Sequence, residues 1–334
     1  MILKDSRGEK MKIETSRQQF NPIFTTGVLL VCFLSLAGCI SIGQDTRQNL
    51  DYEKMQELQM QSQYSAVPDD KAIKDALPEM TAADFEKLGD GYLSKGNPHQ
   101  AFVQFEKALQ LDPQNTVIQY KKGLTFLQGQ LNQDAIGEFE TVLESQPGFA
   151  PALLGMGQAY FQMKNYDESQ RYCHRALEID TSLWKAYNFL GMAYNYQNKP
   201  VLAIKAFGRA IFLNPRDGSL YNNLGISYML TADYEKAARA FLKALESGHR
   251  TKKVYNNLGL ALSKSQQYER ALEAFKKAGN LSTAYNNLGC VLLSQGKSHE
   301  ATRYFEKAIA VDPAFYVKAH DNLKRAKIGL LQKQ

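Results

Sequence analysis

Glycine returns along this chain at a fixed interval. Gly89, Gly123, Gly157, Gly191, Gly225 and Gly259 stand 34 residues apart, and Gly289 follows after 30. A repeat of that length, running through 82–315, constrains the fold more than any other feature. Units this short cannot bury an apolar face alone and must stack on their neighbours.

The fourth unit, 184–217, shows what is repeated. Tyr187, Leu190, Gly191 and Tyr194 share the spacing of one helix face; Ala203, Phe207 and Ala210 share that of a second, which Pro215 stops. The first unit repeats this with Leu88, Gly89, Tyr92, Ala101, Phe105, Ala108 and Pro113, and the last with Leu288, Gly289, Leu292, Ala301, Phe305, Ala308 and Pro313. Glycine inside a helix costs about 1 kcal/mol relative to alanine, so its recurrence predicts a place where the neighbouring helix passes too close for a β-carbon. The pattern resembles the tetratricopeptide repeat. That resemblance implies an all-α, right-handed superhelix of seven repeats, with the first helix of every unit on the concave face. A capping helix is expected over 316–334, with Ala319, Leu323, Ala326 and Leu330 on its apolar side. The sixth unit loses four residues after Ala278, where Gly279-Asn280 predicts a helix stop with a left-handed residue.

Residues 1–38 read as an export leader. Lys12 and Arg17 precede an apolar run from Ile23 to Ala37, short for a membrane span, that ends in Leu36-Ala37-Gly38-Cys39. Met11 to Cys39 already forms a complete signal, so translation from Met1 or from Met11 fits equally. The ending resembles the bacterial lipoprotein signal, which implies that Cys39 becomes the acylated first residue of the mature protein. Two or three acyl chains anchor stably where one does not. By the family's sorting rule, Ile40 in place of aspartate implies the periplasmic face of the outer membrane. The polar stretch 39–81 reads as a flexible tether, with a short amphipathic segment around Leu50 to Met60.

Composition removes several functions. The formal charge of +6 comes from the two ends: residues 39–315 hold thirty Lys/Arg and thirty Asp/Glu. That balance gives little support to nucleic-acid binding. The five histidines form no metal-ligand spacing, no phosphate-binding glycine loop precedes a strand, and no nucleophile elbow is present. No cofactor, metal or catalytic residue is assigned, and no enzyme activity is expected. Cys173 and Cys290 fall on different helix types in distant units, which predicts buried free thiols and no disulfide.

What remains is a surface. Carried over from the repeat family, the groove lining includes Tyr120, Phe161, Asn188, Met192, Tyr196 and Met229. The last three units each contain Tyr-Asn-Asn-Leu-Gly, giving the pairs Asn222/Asn223, Asn256/Asn257 and Asn286/Asn287. A carboxamide offers both a donor and an acceptor to an extended peptide. Two roles stay open for these pairs: a peptide-binding ladder, or bridges between adjacent helices. On the first, removing Asn223, Asn257 and Asn287 weakens partner capture and leaves melting little changed.

The whole layout, acylated cysteine, tether and repeat array, resembles the TadD lipoproteins of tight-adherence (Flp) pilus assembly. It is also similar to the PilF/PilW lipoproteins of type IV pili. That implies a scaffold for secretin or pilus-assembly proteins, tied to the membrane by lipid. The alternative is an adaptor for peptidoglycan hydrolases or polysaccharide export.

Overall fold

The computed structural model describes residues 80–312 and 316–331, the side chains of 316–318 and 329–331 excepted. The leader, Cys39 and the tether as far as Glu79 lie outside the described residues. Among the described residues, fourteen helices form seven antiparallel pairs: α1 (Ala82–Ser94) with α2 (Pro98–Leu111), α3 (Thr116–Gln128) with α4 (Asn132–Ser145), α5 (Ala150–Gln162) with α6 (Tyr166–Ile179), α7 (Trp184–Tyr196) with α8 (Pro200–Leu213), α9 (Gly218–Leu230) with α10 (Tyr234–Glu246), α11 (Lys252–Lys264) with α12 (Tyr268–Ala278), and α13 (Leu281–Ser294) with α14 (Ser298–Val311). A fifteenth helix, α15 (Tyr316–Leu331), covers α14 with buried Ala319, Leu323 and Ala326.

Helix ends follow local chemistry. Thr81 and Asp84 form a reciprocal capping box at the start of α1. Every turn inside a pair places one residue in the left-handed region: Gly96, Gln130, Lys164, Asn198, Ala232, Gln266 and Gly296, at the same spacing as the repeat glycines. The amide after it closes the first helix, as Lys199 N–H does on the Tyr194 carbonyl at 2.8 Å. Only two of these seven residues are glycine. At the short sixth unit the structure departs from expectation. Gly279 is extended (φ −157°), and Asn280 starts the next helix by accepting from Thr283 N–H at 2.8 Å. With two residues to connect α12 to α13, the chain has no room for a left-handed stop.

The repeat glycines face rings. A β-carbon built on Gly89, Gly123, Gly191, Gly225, Gly259 or Gly289 would lie 2.5–2.7 Å from Phe105, Phe139, Phe207, Phe241, Phe275 or Phe305 of the same pair. The close neighbour is therefore a buried phenylalanine on the second helix and not that helix's backbone. The third repeat is the exception: Cys173 replaces the ring, and Gly157 would meet its Sγ at 2.7 Å and its backbone N at 3.4 Å. Here Ser169 Oγ donates to the Gly157 carbonyl at 2.7 Å and ties the two helices directly. Cys173 is a free thiol, and Cys290 Sγ accepts from Asn322 Nδ2 at 3.4 Å. Burial pushes the Cys173 thiol up to about 12, so it behaves as a small apolar group, whereas Cys290 is half-buried.

First helices also touch the first helices of the next repeats, while second helices make no comparable contact with one another. The array therefore curves with α1, α3, α5, α7, α9, α11 and α13 inside. The inside face carries the candidate site.

Candidate functional site

The inner face is held together by a run of side-chain crossings between successive first helices. Each crossing joins the residue three before one repeat glycine to the residue two before the next. Asn223 Nδ2 donates to Asn188 Oδ1 at 3.0 Å, Asn257 to Asn222 at 3.1 Å, and Asn287 to Asn256 at 3.4 Å. Asn322 of α15 continues the series by donating to Asn286 Oδ1 at 3.0 Å. The pairs thus divide their work: the first asparagine accepts, the second donates. This explains why repeat four needs only the acceptor, Asn188 followed by Phe189, and why α15 needs only the donor.

Other residues make the same crossing nearer the start. Lys121 Nζ reaches Glu86 Oε1 at 2.7 Å and also Asp90 Oδ2 at 2.6 Å. Burial opposes the Lys121 ammonium, yet its hydrogen bonds to the two carboxylates hold its pKa above the ordinary lysine value. Between repeats two and three the equivalent positions are Tyr120 and Gly155, and the Phe139 ring lies against both. Between three and four the crossing is apolar, with Leu154 and Phe189 packed on one cluster.

These contacts fix where the expected groove residues lie. Asn222 is 5% exposed and Asn286 4%, so both are interior. Asn188, Asn223, Asn256, Asn257 and Asn287 are half-buried, and each is engaged by a neighbouring repeat. Tyr120 packs edge-on against Phe149, with centroids 5.3 Å apart, and burial raises its hydroxyl pKa. Met229, 6% exposed, belongs to the core of the later repeats. It was expected on the groove wall; its neighbours there are buried side chains. Met192 is half-buried.

Tyr196 differs from all of these. It is 66% exposed, yet it stacks on Tyr166 at 4.9 Å and 7° and meets Phe161 edge-on at 5.8 Å. Phe161 in turn touches Phe189 at 5.6 Å, so two rings, Tyr166 and Phe161, hold the exposed ring directly and a third, Phe189, backs one of them. The residue before it, Asn195, donates to Ser227 Oγ at 2.9 Å, while its buried Oδ1 has no hydrogen-bond partner. Buried polar atoms are nearly always paired.

Among the described residues no group of three or more His, Cys, Asp or Glu could hold a metal. Among them, too, no helix is long and apolar enough to cross a membrane.

With this geometry the class of protein is defined. Models of the tetratricopeptide repeat match residues 86–115, 150–182, 189–249, 224–283 and 282–315, between them more than half of the chain. The chain is a right-handed tetratricopeptide-repeat solenoid. It is similar to the type IV pilus assembly protein PilF of Pseudomonas aeruginosa, 27% identical over 139 residues that make up 40% of this chain and 54% of that one. It is also similar to the STIP1 homolog of Dictyostelium discoideum, 25% identical over 99 residues, 30% of this chain and 18% of that one. The chain spans about half or less of the curated relatives it matches. Among solved structures, PilF of Pseudomonas aeruginosa superposes with a TM-score of 0.53 at 21% identity, covering 68% of this chain and 97% of that one. The Cut9–Hcn1 hetero-tetramer gives 0.54 at 21% identity, covering 76% and 50%. Likenesses at this identity establish the fold alone. As a solenoid of this family the chain is a protein-interaction scaffold.

Proposed function

We propose that the chain is an outer-membrane lipoprotein, anchored through acylated Cys39 and facing the periplasm, whose inner face holds a segment of a partner protein during pilus or secretin assembly. The observation that carries the binding reading is Tyr196, 66% exposed yet held by the rings of Tyr166 and Phe161. A ring fixed before binding loses little conformational freedom when a partner covers it, and tyrosine is a favoured interface anchor for that reason. Half-buried Met192 and Ile226 supply apolar contact, and the remaining amide capacity of Asn223, Asn257 and Asn287 supplies hydrogen bonds along the same face. Similarity to PilF supports the pilus setting.

The test is a crosslinked pull-down from intact cells with the natural chain, Tyr196→Ala and Cys39→Ala. Tyr196 touches the fold only through the rings of Tyr166 and Phe161, so its truncation should lower the melting temperature by a few degrees and leave the helices intact. Removing an anchor of this kind costs at least about 2 kcal/mol, or roughly thirtyfold in partner affinity. Recovery of secretin or pilus-assembly proteins, lost in both variants, supports the proposal. Recovery of hydrolases or polysaccharide-export proteins would keep the scaffold and replace the pathway. Unaltered capture by Tyr196→Ala would remove the inner-face site.

A further inference from the structure

Although positive and negative charges balance over 39–315, they are unevenly distributed within the solenoid. Residues 82–183 hold eight Lys/Arg against thirteen Asp/Glu, whereas 184–280 hold fifteen against six. The excess has a register. Arg171, Lys205, Arg239 and Arg303 occupy one position of the outer helices α6, α8, α10 and α14, with Glu273 the exception on α12. Four residues later stand Arg175, Arg209, Lys243, Lys277 and Lys307. All nine cations are exposed, and a four-residue step keeps each pair on one helix face.

On α6 and α10 acids accompany this ridge. Arg171 pairs with Glu168, and Lys243 Nζ lies 3.2 Å from Glu246 Oε2. On α8 the positions equivalent to the acids are apolar. Val201 stands where α6 and α10 have Asp167 and Glu235, and Phe212 stands where they have Glu178 and Glu246. From 181 to 216 the chain has no acidic residue at all. Val201 is 60% exposed, Leu202 42% and Phe212 73%, with the Arg209 guanidinium 5.1 Å from the Phe212 ring centre. Exposed large apolar side chains beside uncompensated cations, on the crest of a curved surface, need an explanation that folding does not supply.

We propose that the outward face of α8, flanked by α6 and α10, docks on an anionic phospholipid bilayer. Charge and shape favour this occupant over an acidic protein segment. The face belongs to a convex surface without a groove to align a peptide, and Val201 and Phe212 lie roughly 16 Å apart along the helix at its rise per residue. A bilayer offers both chemistries at one surface: negative headgroups for Lys205 and Arg209, and an apolar layer beneath them for Val201, Leu202 and Phe212. Cationic side chains reach headgroups while their stems and neighbouring rings enter that layer. The assignment is independent of acylation at Cys39. With the inner face given to a partner, this contact would turn the opposite side of the solenoid to the lipid.

The test uses residues 39–334 with Cys39→Ala, which contain every described helix and lack the acylation site. Co-sedimentation is measured with vesicles of phosphatidylglycerol and phosphatidylcholine and with phosphatidylcholine alone. The expected result is binding to the anionic vesicles only, weakened at least tenfold by Lys205→Glu with Arg209→Glu, at about a kcal/mol for each charge near the surface. Phe212→Ser should weaken it severalfold without changing its dependence on salt. Because all three residues are exposed, helicity should be retained; should the charge-reversed form fold poorly, Lys205→Gln with Arg209→Gln reads the same effect. Equal binding to neutral vesicles, no binding to either, or indifference to both charge variants would overturn the proposal. Retention on immobilised polyaspartate through the same two residues, with no vesicle binding, would reassign the face to an acidic protein.

Discussion

Gly225→Leu should lower unfolding stability by at least about 1–3 kcal/mol, the usual range for overpacking a filled core. The leucine β-carbon alone would lie 2.5 Å from Phe241 Cε1, and Phe241 is fully buried with no exposed side toward which to retreat. The rest of the leucine side chain then has to displace the ring, or the two helices have to part. Because each repeat contacts only its neighbours, parting α9 from α10 also weakens the contacts of both with repeats four and six. Urea unfolding followed by circular dichroism reads the effect as a lowered midpoint. An unchanged midpoint would show that Phe241 is not held where the structure places it.

Replacing Asn223, Asn257 and Asn287 together by alanine should cost about 3 kcal/mol, at roughly 1 kcal/mol for each lost hydrogen bond. Each substitution removes the donor of one crossing and leaves an acceptor, on Asn188, Asn222 or Asn256, without it. The acceptor on buried Asn222 has no ready access to water, which places the middle crossing at the upper end of the range. The loss falls on contacts between repeats, so the melt should broaden as well as shift. Had these asparagines served a bound peptide alone, the triple variant would melt like the natural chain. A melt of unchanged midpoint and width would therefore return them to that role and remove the bridging account.

Much of the fold could be read from the period alone, because a 34-residue unit with helical apolar spacing admits few other arrangements. The details that depend on how units stack could not. Glycine announced a close neighbour, but its identity as Phe241 or its equivalents depends on the pitch at which two helices pair. The crossings join residues 31, 35 and 36 positions apart. No single repeat displays such a pair, and choosing between peptide ladder and bridge required the register of the stack. Asn322 was missed because its segment reads His-Asp-Asn-Leu-Lys, with Lys324 where the glycine would be. Its signal was the Asn-Leu dipeptide 35 residues after Asn287-Leu288. Left-handed turn residues stayed hidden where Gln130, Lys164, Ala232 and Gln266 fill the position, since tertiary packing holds them there against their local preference. Met229 shows the opposite failure: an inner-helix residue by register, it is buried by the closeness of the next repeat. The basic ridge was lost in a total that sums to neutrality.

The central claim, that the inner face at repeats three to five receives a protein partner, is tested most directly by site-specific photocrosslinking in living cells. A photoreactive phenylalanine analogue is placed at Tyr196 on the inner face, and at Thr141, exposed on outer helix α4, as the control. The account predicts discrete heavier species from position 196, absent from position 141 and diminished when an unlabelled chain is co-expressed in excess. No adduct from position 196, or the same adducts from both positions, would contradict it.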